Sequence, residues 1–226
     1  MMILSIVIPT LNAAASLART LDALQEWPAA QVVVVDGGSS DGTVAFAQAR
    51  GLEVVAAPRG RGLQLAAGAR AARGDWLLFL HADTVLAPGW RTRAEAFIES
   101  GRADGRARAG YFRFVLDDNA PEARRLERTV AWRCRRFGLP YGDQGLLIAR
   151  ACYDAVGGYR PLSLMEDVDL ARRLGRSRLS PIDHPAITSA ARYRSVGYRR
   201  RSARNLLCLG LYFLGLPPRA LTRIYR

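Results

Sequence analysis

Short apolar runs alternate with helical segments over the first third of the chain, and this alternation restricts the chain to few folds. The strand candidates are Ile3 to Ile8, Val32 to Val35, Glu53 to Ala56 and Trp76 to Leu80. Apolar runs of this kind are typical of strands that are covered on both faces. The helix candidates between them are Ser16 to Trp27, Asp41 to Arg50 and Gly60 to Arg73. This order predicts an α/β fold with a mostly parallel sheet and helices on both faces.

The pattern changes after Pro88, but no low-complexity linker or internal repeat separates the two parts. The predicted elements are a helix over Gly89 to Ser100, a Gly/Arg-rich turn over Gly101 to Arg108, a strand over Tyr111 to Leu116, a helix over Pro121 to Phe137, a strand over Gly145 to Ile148 and a helix over Glu166 to Leu174. We therefore expect the two parts to share one sheet in a single domain spanning residues 1–226.

The chain is strongly basic. It has 226 residues, of which 50% are hydrophobic, and this composition excludes a disordered or disulfide-stapled protein. The net charge is +13, and all 33 cationic side chains are arginines. Such charge favours nucleotides, nucleic acid or an acidic membrane as partners. We do not expect nucleic acid, because the arginines are scattered and the acidic residues follow strand ends, where they would repel phosphate in the absence of a metal.

The cysteines and the apolar runs indicate the cellular compartment in which the protein is expected. Cys134, Cys152 and Cys208 are widely spaced and odd in number, which indicates a reducing compartment and argues against structural zinc. The N-terminus has no basic segment before its apolar run, so it predicts a strand rather than a signal peptide. The run from Leu206 to Leu216 is 11 residues long, whereas a helix needs about 20 to span a bilayer. We expect a cytoplasmic protein, with contact at a membrane surface left open.

Polar residues and turn-forming glycines follow three of the predicted strands. The segments are Pro9 to Asn12, Asp36 to Thr43 and His81 to Thr84. Because the carboxyl ends of parallel strands meet at one edge of a sheet, these segments predict a ligand site there. One carboxylate can accept a hydrogen bond from a nucleobase, and another can hold a divalent cation that bridges a diphosphate, as a sugar nucleotide requires.

Each of these carboxylates also has a structural alternative. Asp36 and Asp41 can form turns and cap the next helix. We predict the cap for Asp41 and the ligand role for Asp36, which directly follows four valines. Asp83 is the predicted metal ligand. His81 lies two residues before it, on the same side of an extended strand, and its participation stays open.

Two other nucleotide-binding classes lack their motifs in this chain. A Rossmann dehydrogenase needs G-x-G-x-x-G after the first strand, where this chain has P-T-L-N-A-A. A P-loop needs a lysine, and the sequence contains none.

Six segments in order resemble the family 2 glycosyltransferases of the GT-A fold. They are VIPTLN (Val7 to Asn12), VVDGGSSDGT (Val34 to Thr43), RGRGLQLAAGA (Arg59 to Ala69), LFLHADT (Leu78 to Thr84), YGDQGLLIAR (Tyr141 to Arg150) and MEDVDLARRL (Met165 to Leu174). The short chain and the HADT variant are most similar to a bacterial subgroup of short family 2 transferases.

The resemblance implies a GT-A-like, mixed and mostly parallel sheet. Residues 1–100 would form a Rossmann-like half that binds the nucleotide sugar, residues 101–198 the acceptor half, and residues 199–226 a basic and apolar C-terminal helix. The implied reaction moves a sugar from a UDP- or GDP-sugar to an acceptor oxygen, with Mg²⁺ or Mn²⁺ and with inversion. Because His81 stands where the family usually has aspartate, a catalytically weak protein that binds nucleotide sugars is the alternative.

The resemblance also implies roles for individual residues. Those on the nucleotide side are Pro9, Thr10, Asn12, Asp36, Gly37, Arg61, Gln64, Ala82 and Asp83. Asp36 would contact the base, Arg61 would pair with phosphate, and Asp83, with His81 as second candidate, would hold the metal. Asp143 and Gln144 would hold the acceptor or the sugar.

The acidic pair Glu166 and Asp167 would supply the catalytic base, which in the family is the aspartate. Helical spacing places Glu166 and Asp169 on one face and turns Asp167 away, so either residue of the pair could face the site. The alternative is an acidic first turn that only complements the helix dipole.

Four arginines precede the C-terminal apolar run: Arg199, Arg200, Arg201 and Arg204. Three interpretations of this segment stay open. It could be a solvated face. It could be an amphipathic helix on an anionic membrane, which would suit a lipid-linked acceptor. It could also pack on the domain or on a second copy of the chain.

Overall fold

The computed structural model describes residues 3–103 and 108–225, without the side chains of residues 102 and 103. The strands in this part of the chain are β1 (Leu4–Thr10), β2 (Gln31–Asp36), β3 (Glu53–Ala56), β4 (Trp76–Phe79), β5 (Thr84–Leu86), β6 (Ala109–Leu116), β7 (Leu146–Ala149) and β8 (Leu179–Thr188). The α-helices are α1 (Ala14–Ala23), α2 (Thr43–Ala49), α3 (Arg61–Ala71), α4 (Trp90–Ala103), α5 (Pro121–Phe137), α6 (Arg150–Ala155), α7 (Glu166–Leu174), α8 (Ala191–Val196), α9 (Tyr198–Phe213) and α10 (Pro218–Tyr225).

The strands form one mixed sheet in the order β3-β2-β1-β4-β7-β6-β8-β5. The first four in this order are parallel, β7 is antiparallel to both of its neighbours, β6 and β8 are parallel, and β5 is antiparallel to β8. The carboxyl ends of β1, β2, β4, β6 and β8 therefore meet the amino ends of β5 and β7 at one edge. Segments that are far apart in sequence are brought together at this edge.

Each face of the sheet is covered by its own apolar core. Along β1, Leu4, Ile6 and Ile8 point into a core with Leu17 and Trp90. Val7 points to the other face, into a core formed with α3, α5 and α7. Because successive side chains of a strand point to opposite faces, an uninterrupted apolar run can fill both cores. The α/β fold with a mostly parallel mixed sheet and helices on both faces is confirmed.

The sequence-based elements agree with the structure most closely in the first half, and two strands were not predicted. β5 has only three residues, and β8 contains Pro181 and Pro185, which argue against a strand. β8 tolerates them because β5 pairs only with its last three residues, and because its register with β6 shifts between Phe112 and Arg113. Of the turn predicted over residues 101–108, residues 101–103 continue α4 and residues 104–107 lie outside the described residues.

The predicted C-terminal helix consists of two helices, α9 and α10. Gly215, with φ of 91°, and Pro217 lie in the connection between them. Cys208 of α9 and Leu221 of α10 are fully buried, so one face of this segment packs on the domain. Within residues 3–103 and 108–225, no helix has the length and apolar character that a membrane crossing requires.

At Gly68, α3 lies directly against the sheet. A Cβ at this position would lie 2.3 Å from Cγ1 of Val7 and 2.7 Å from Cγ2 of Val35. Gly210 of α9 is a matched helical glycine, since a Cβ there would meet nothing within 4 Å. We predict that Gly68→Ala lowers the free energy of unfolding by about 1–3 kcal/mol through overpacking. Gly210→Ala should raise it by about 0.5–1 kcal/mol. Urea unfolding of both variants checks this, and equal effects would contradict the packing of α3.

Candidate active site

A cavity of about 530 Å³ opens at the edge where the strand ends meet. Its polar lining includes Arg61, His81, Asp83, Asp143 and Asp167. These residues come from the start of α3, the β4–β5 connection, the turn before β7 and the first turn of α7. The sheet topology explains the convergence, because β4 and β7 are neighbours and β5 pairs with β8 at the same edge. Thr84 and Thr188 are opposite each other there, with their hydroxyl oxygens 2.7 Å apart.

The acidic pair at the start of α7 is divided between two environments. Asp167 lines the cavity, and its Oδ2 accepts a hydrogen bond of 2.9 Å from the backbone N–H of Gly142. Its Oδ1 accepts one of 2.8 Å from the N–H of Val168. Glu166 is fully buried, and its Oε1 accepts a hydrogen bond from Nε of Arg61. Asp167 is therefore the member of the pair that faces the open site.

Arg61 and Glu166 form an ion pair behind the cavity. Burial alone would lower the pKa of Arg61, but the carboxylates of Glu166 and Asp167 outweigh it and hold the pKa above its usual value. Burial raises the pKa of Glu166, and the positive charge of Arg61 opposes this shift. Glu166 engages only Nε, so the ion pair anchors the guanidinium beside the cavity and leaves its other N–H groups to other partners.

Asp143 and His81 each carry a buried polar atom without a hydrogen-bond partner, Oδ1 and Nε2 respectively. The pKa of Asp143 is raised to about 6: burial is the largest cause, the charges of Asp167 and Asp83 act in the same direction, and those of Arg133 and Arg61 oppose the shift. Burial, with the positive charges of Arg61 and Arg192, holds the pKa of His81 well below its usual value, so the imidazole is neutral. Nε2 of His81 lies against Gly142, where an added Cβ would come within 2.5 Å of it.

The residues predicted for the nucleoside form a separate network beside this cavity. Both oxygens of Asp36 accept hydrogen bonds: Oδ1 from the hydroxyls of Thr10 and Ser39, and Oδ2 from the N–H groups of Gly38 and Ser39. Burial opposes ionisation, but these hydrogen bonds outweigh it and lower the pKa of Asp36. Oδ1 of Asn12 accepts a hydrogen bond of 2.9 Å from the N–H of Ser40. The loops after β1 and β2 are thus joined at the sheet edge.

Asp41 accepts hydrogen bonds at the start of two helices, although the N-cap residue of α2 is Gly42. Its Oδ1 accepts a hydrogen bond of 3.1 Å from the N–H of Thr43 at the start of α2. Its Oδ2 accepts one of 3.0 Å from the N–H of Ala14 at the start of α1.

Other candidates lie in the framework around the site. Nε2 of Gln64 donates to the carbonyl oxygens of Thr10 and Val35 at 2.7 and 2.9 Å, and so ties α3 to β1 and β2. Gln144 is buried, with Nε2 donating to the carbonyl of Phe112 at 3.1 Å. The remaining candidates take part in the framework through their backbone atoms. Pro9 lies in β1, and Gly37 donates its N–H to the carbonyl of Thr10. The carbonyl of Ala82 accepts a hydrogen bond from the hydroxyl of Thr20.

Three residues that line the cavity had little or no signal in the sequence. The guanidinium of Arg133 lies 3.5 Å above the ring of Tyr141. Arg201 is buried and donates to the hydroxyl of Tyr225 at 2.7 Å, and Tyr193 stacks on Tyr198 with ring centroids 5.3 Å apart. Arg201 belongs to the basic run before the C-terminal apolar segment, and sequence spacing does not distinguish an inward arginine from a solvated one.

The carboxylate and histidine side chains of the cavity are too few to form a complete metal site on their own. Within the described residues, no group of three or more histidine, cysteine, aspartate or glutamate side chains is arranged to hold a metal ion. A cation at Asp83 and His81 would need most of its ligands from a bound diphosphate.

Solved structures with the same architecture are glycosyltransferases of the GT-A class. Staphylococcus aureus TarS 1-349 matches with a TM-score of 0.65 and 16% identity over 99% of this chain and 69% of its own. The mannosyltransferase PcManGT of Pyrobaculum calidifontis, in complex with GDP-Man and Mn²⁺, matches with a TM-score of 0.66 and 19% identity over 98% of this chain and 67% of its own.

A third structure is the glucosyl-3-phosphoglycerate synthase of Mycobacterium tuberculosis in complex with Mn²⁺, UDP and glucosyl-3-phosphoglycerate. It matches with a TM-score of 0.60 and 19% identity over 91% of this chain and 79% of its own. A comparison with curated proteins gave no match. The fold is therefore that of the GT-A glycosyltransferases. The model of glycosyl transferase family 2 matches residues 5–162, and the chain belongs to this family of glycosyltransferases.

The raised pKa of Asp143 allows the electrostatics of the cavity to be tested. Its pKa of about 6 in the folded chain lies above the usual value of 3.8, so folding disfavours the ionised form. This destabilisation is complete above pH 7 and absent below pH 4. We predict that Asp143→Asn raises the free energy of unfolding by at most about 3 kcal/mol at pH 8. The gain should begin to fall as the pH drops below 6 and should be small at pH 4.

Urea unfolding at pH 4, 6 and 8, without metal or nucleotide, measures the difference. The exposed Asp154→Asn serves as the control and should show no such pH dependence. A gain for Asp143→Asn that is the same at all three pH values would exclude a desolvated carboxylate.

Proposed function

We propose that the chain transfers a sugar from a UDP- or GDP-sugar to an acceptor oxygen, with the help of Mg²⁺ or Mn²⁺ and with inversion at the anomeric carbon. The observation that carries the proposal is that Asp167, Asp83 and Arg61 line the same cavity. Structures of similar fold that hold GDP-Man with Mn²⁺, or UDP with Mn²⁺, support the choice of donor and metal.

Asp167 is the proposed catalytic base. The N–H groups of Gly142 and Val168 hold its two oxygens, so the carboxylate has a fixed orientation at the cavity wall. In a single displacement the acceptor oxygen forms a bond to the anomeric carbon, and the bond from that carbon to the diphosphate breaks. The acceptor proton passes to Asp167, and the diphosphate leaves with the bonding electron pair. One displacement on the face opposite the leaving group inverts the configuration.

Arg61 is the proposed partner of the departing diphosphate. Its charge is held by the buried Glu166, which engages Nε, and we assign the remaining N–H groups to phosphate oxygens. Glu166 is then a positioning residue that fixes the guanidinium. This division of roles supports Asp167 rather than Glu166 as the base.

His81 and Asp83 are the proposed metal ligands. The neutral imidazole of His81 has a buried Nε2 without a partner, and a neutral imidazole is the form that ligates metals. Asp83 lines the same cavity and supplies an oxygen ligand. When bound, a divalent cation would neutralise charge on the diphosphate. We propose that the ordered loops of Thr10, Asn12 and Asp36 face the nucleoside, and that Asp143 lies beside the transferred sugar.

For Asp167→Asn we predict that turnover falls by about 10²–10⁴-fold, because the amide cannot accept the acceptor proton. Donor binding should persist, since the diphosphate contacts are unchanged. Release of UDP or GDP from sugar nucleotides with Mn²⁺ measures turnover, and calorimetry measures binding. Glu122→Gln, which removes a carboxylate from the first turn of α5, is the matched control. Full turnover in Asp167→Asn would remove this residue from the mechanism.

For Asp83→Ala we predict that Mn²⁺ no longer strengthens the binding of UDP or GDP. The carboxylate oxygen that would help to hold the cation against the diphosphate is gone. Calorimetric titrations with and without Mn²⁺ check this, with Asp154→Asn as the control. A Mn²⁺ effect equal to that of the unaltered chain would contradict the metal role. His81→Ala in the same titration tests the second ligand.

A further inference from the structure

The cavity has a polar half and an apolar half. The polar half holds the proposed catalytic residues. The apolar half, which we call the α5–α9 groove, is lined by Leu126, Val130, Trp132, Phe137, Leu206 and Phe213. Both halves belong to one continuous space of about 530 Å³. A ligand that fills this space therefore needs a polar reacting end and an apolar remainder.

Four of the six groove residues are large apolar side chains that the described part of the chain does not bury, whereas Val130 is buried. Trp132, Phe137, Leu206 and Phe213 are each about half exposed or more. The rings of Trp132 and Phe137 meet edge to face with centroids 5.3 Å apart, and the guanidinium of Arg172 lies 5.0 Å from the centre of Phe213. Contiguous exposed apolar surface beside a polar site is typical of a binding groove.

Arginines of the helices beside the groove line the same cavity: Arg133 of α5, Arg192 of α8 and Arg201 of α9. The carboxylates of the cavity, Asp83, Asp143 and Asp167, come instead from the sheet edge and from the first turn of α7. Arg133 stacks on Tyr141, and the adjacent Gly142 donates to Asp167, so this cation lies near the reacting end. Arg201, at the start of α9, is buried and fixed by the hydroxyl of Tyr225. Arginine favours phosphate and carboxylate groups. An apolar groove with cations at its polar end is complementary to an anionic amphiphile.

We propose that the acceptor is an amphiphile whose single hydrocarbon chain occupies the α5–α9 groove. Its anionic head group lies at the arginines, with the acceptor oxygen toward Asp167. This inference rests on the proposed function and names the substrate class for it. Burial of the chain strengthens binding by about fourfold for each methylene.

Calorimetry with simple amphiphiles tests the groove without sugar transfer. The probes are decyl phosphate, butyl phosphate and decyltrimethylammonium, each below its critical micelle concentration. We expect decyl phosphate to bind one to one and butyl phosphate at least about a hundredfold more weakly. The cationic probe should also bind more weakly than decyl phosphate, because arginines line the cavity. Equal binding of the long and short phosphates, or of the anionic and cationic decyl probes, would overturn the proposal.

Two neighbouring leucines provide matched variants. Leu206 and Leu207 are 61% and 53% exposed, but only Leu206 lines the cavity. We expect Leu206→Gln to weaken decyl phosphate binding by about tenfold and Leu207→Gln by less than about twofold. Equal losses would indicate nonspecific association with exposed leucines and would contradict the groove. Thermal unfolding of both variants establishes that they are folded.

A second copy of the chain is the other candidate occupant of the groove. Light scattering over a range of concentrations detects a dimer. A dimer that Leu206→Gln dissociates and that excludes decyl phosphate would overturn the proposal of an amphiphilic acceptor.

The donor titration with Mn²⁺ separates this inference from the proposed function. A chain that binds donor but not decyl phosphate retains the proposed function and loses the amphiphilic acceptor. A chain that binds decyl phosphate but no donor loses the function on which the acceptor role depends.

Discussion

The active-site geometry depends on one constraint, which is that a sheet covered on both faces leaves only its edges for polar chemistry. The side chains of β1, β2 and β4 fill two apolar cores, so charged residues cannot lie along these strands without large desolvation costs. Polar residues are therefore placed just beyond the strand ends. Since most strands point in the same direction, their ends meet at one edge, and distant segments supply one site.

The electrostatics of this edge balance a crowded set of carboxylates against arginines. Asp83, Asp143 and Asp167 line one cavity with Arg61, and the mutual repulsion of the carboxylates contributes to the raised pKa of Asp143. Glu166 compensates Arg61 from the buried side, so the cavity side of the guanidinium stays available for an anion. This arrangement suits a reaction in which negative charge develops on a leaving diphosphate.

The C-terminal helices complete the cavity and add apolar side chains to its lining. α9 anchors itself to the domain through Cys208, while its Leu206 and Phe213 face the open α5–α9 groove. The same helix thus packs on the domain on one side and forms a wall of the groove on the other. In the proposed acceptor complex, the basic segment and the adjoining apolar run would give neighbouring surfaces to a polar head and an apolar chain.

The sequence by itself determined the α/β alternation, the strand-end positions of Asp36 and Asp83, and the family, because these follow from local periodicity and short motifs. The tertiary structure decided which carboxylate faces the cavity: Arg61, 105 residues before Glu166, binds that glutamate and leaves Asp167 at the wall. It also turned Gln144 inward and brought α9 beside α5. No local pattern determines these features, because the direction of a side chain depends on partners that only the packing of distant segments supplies.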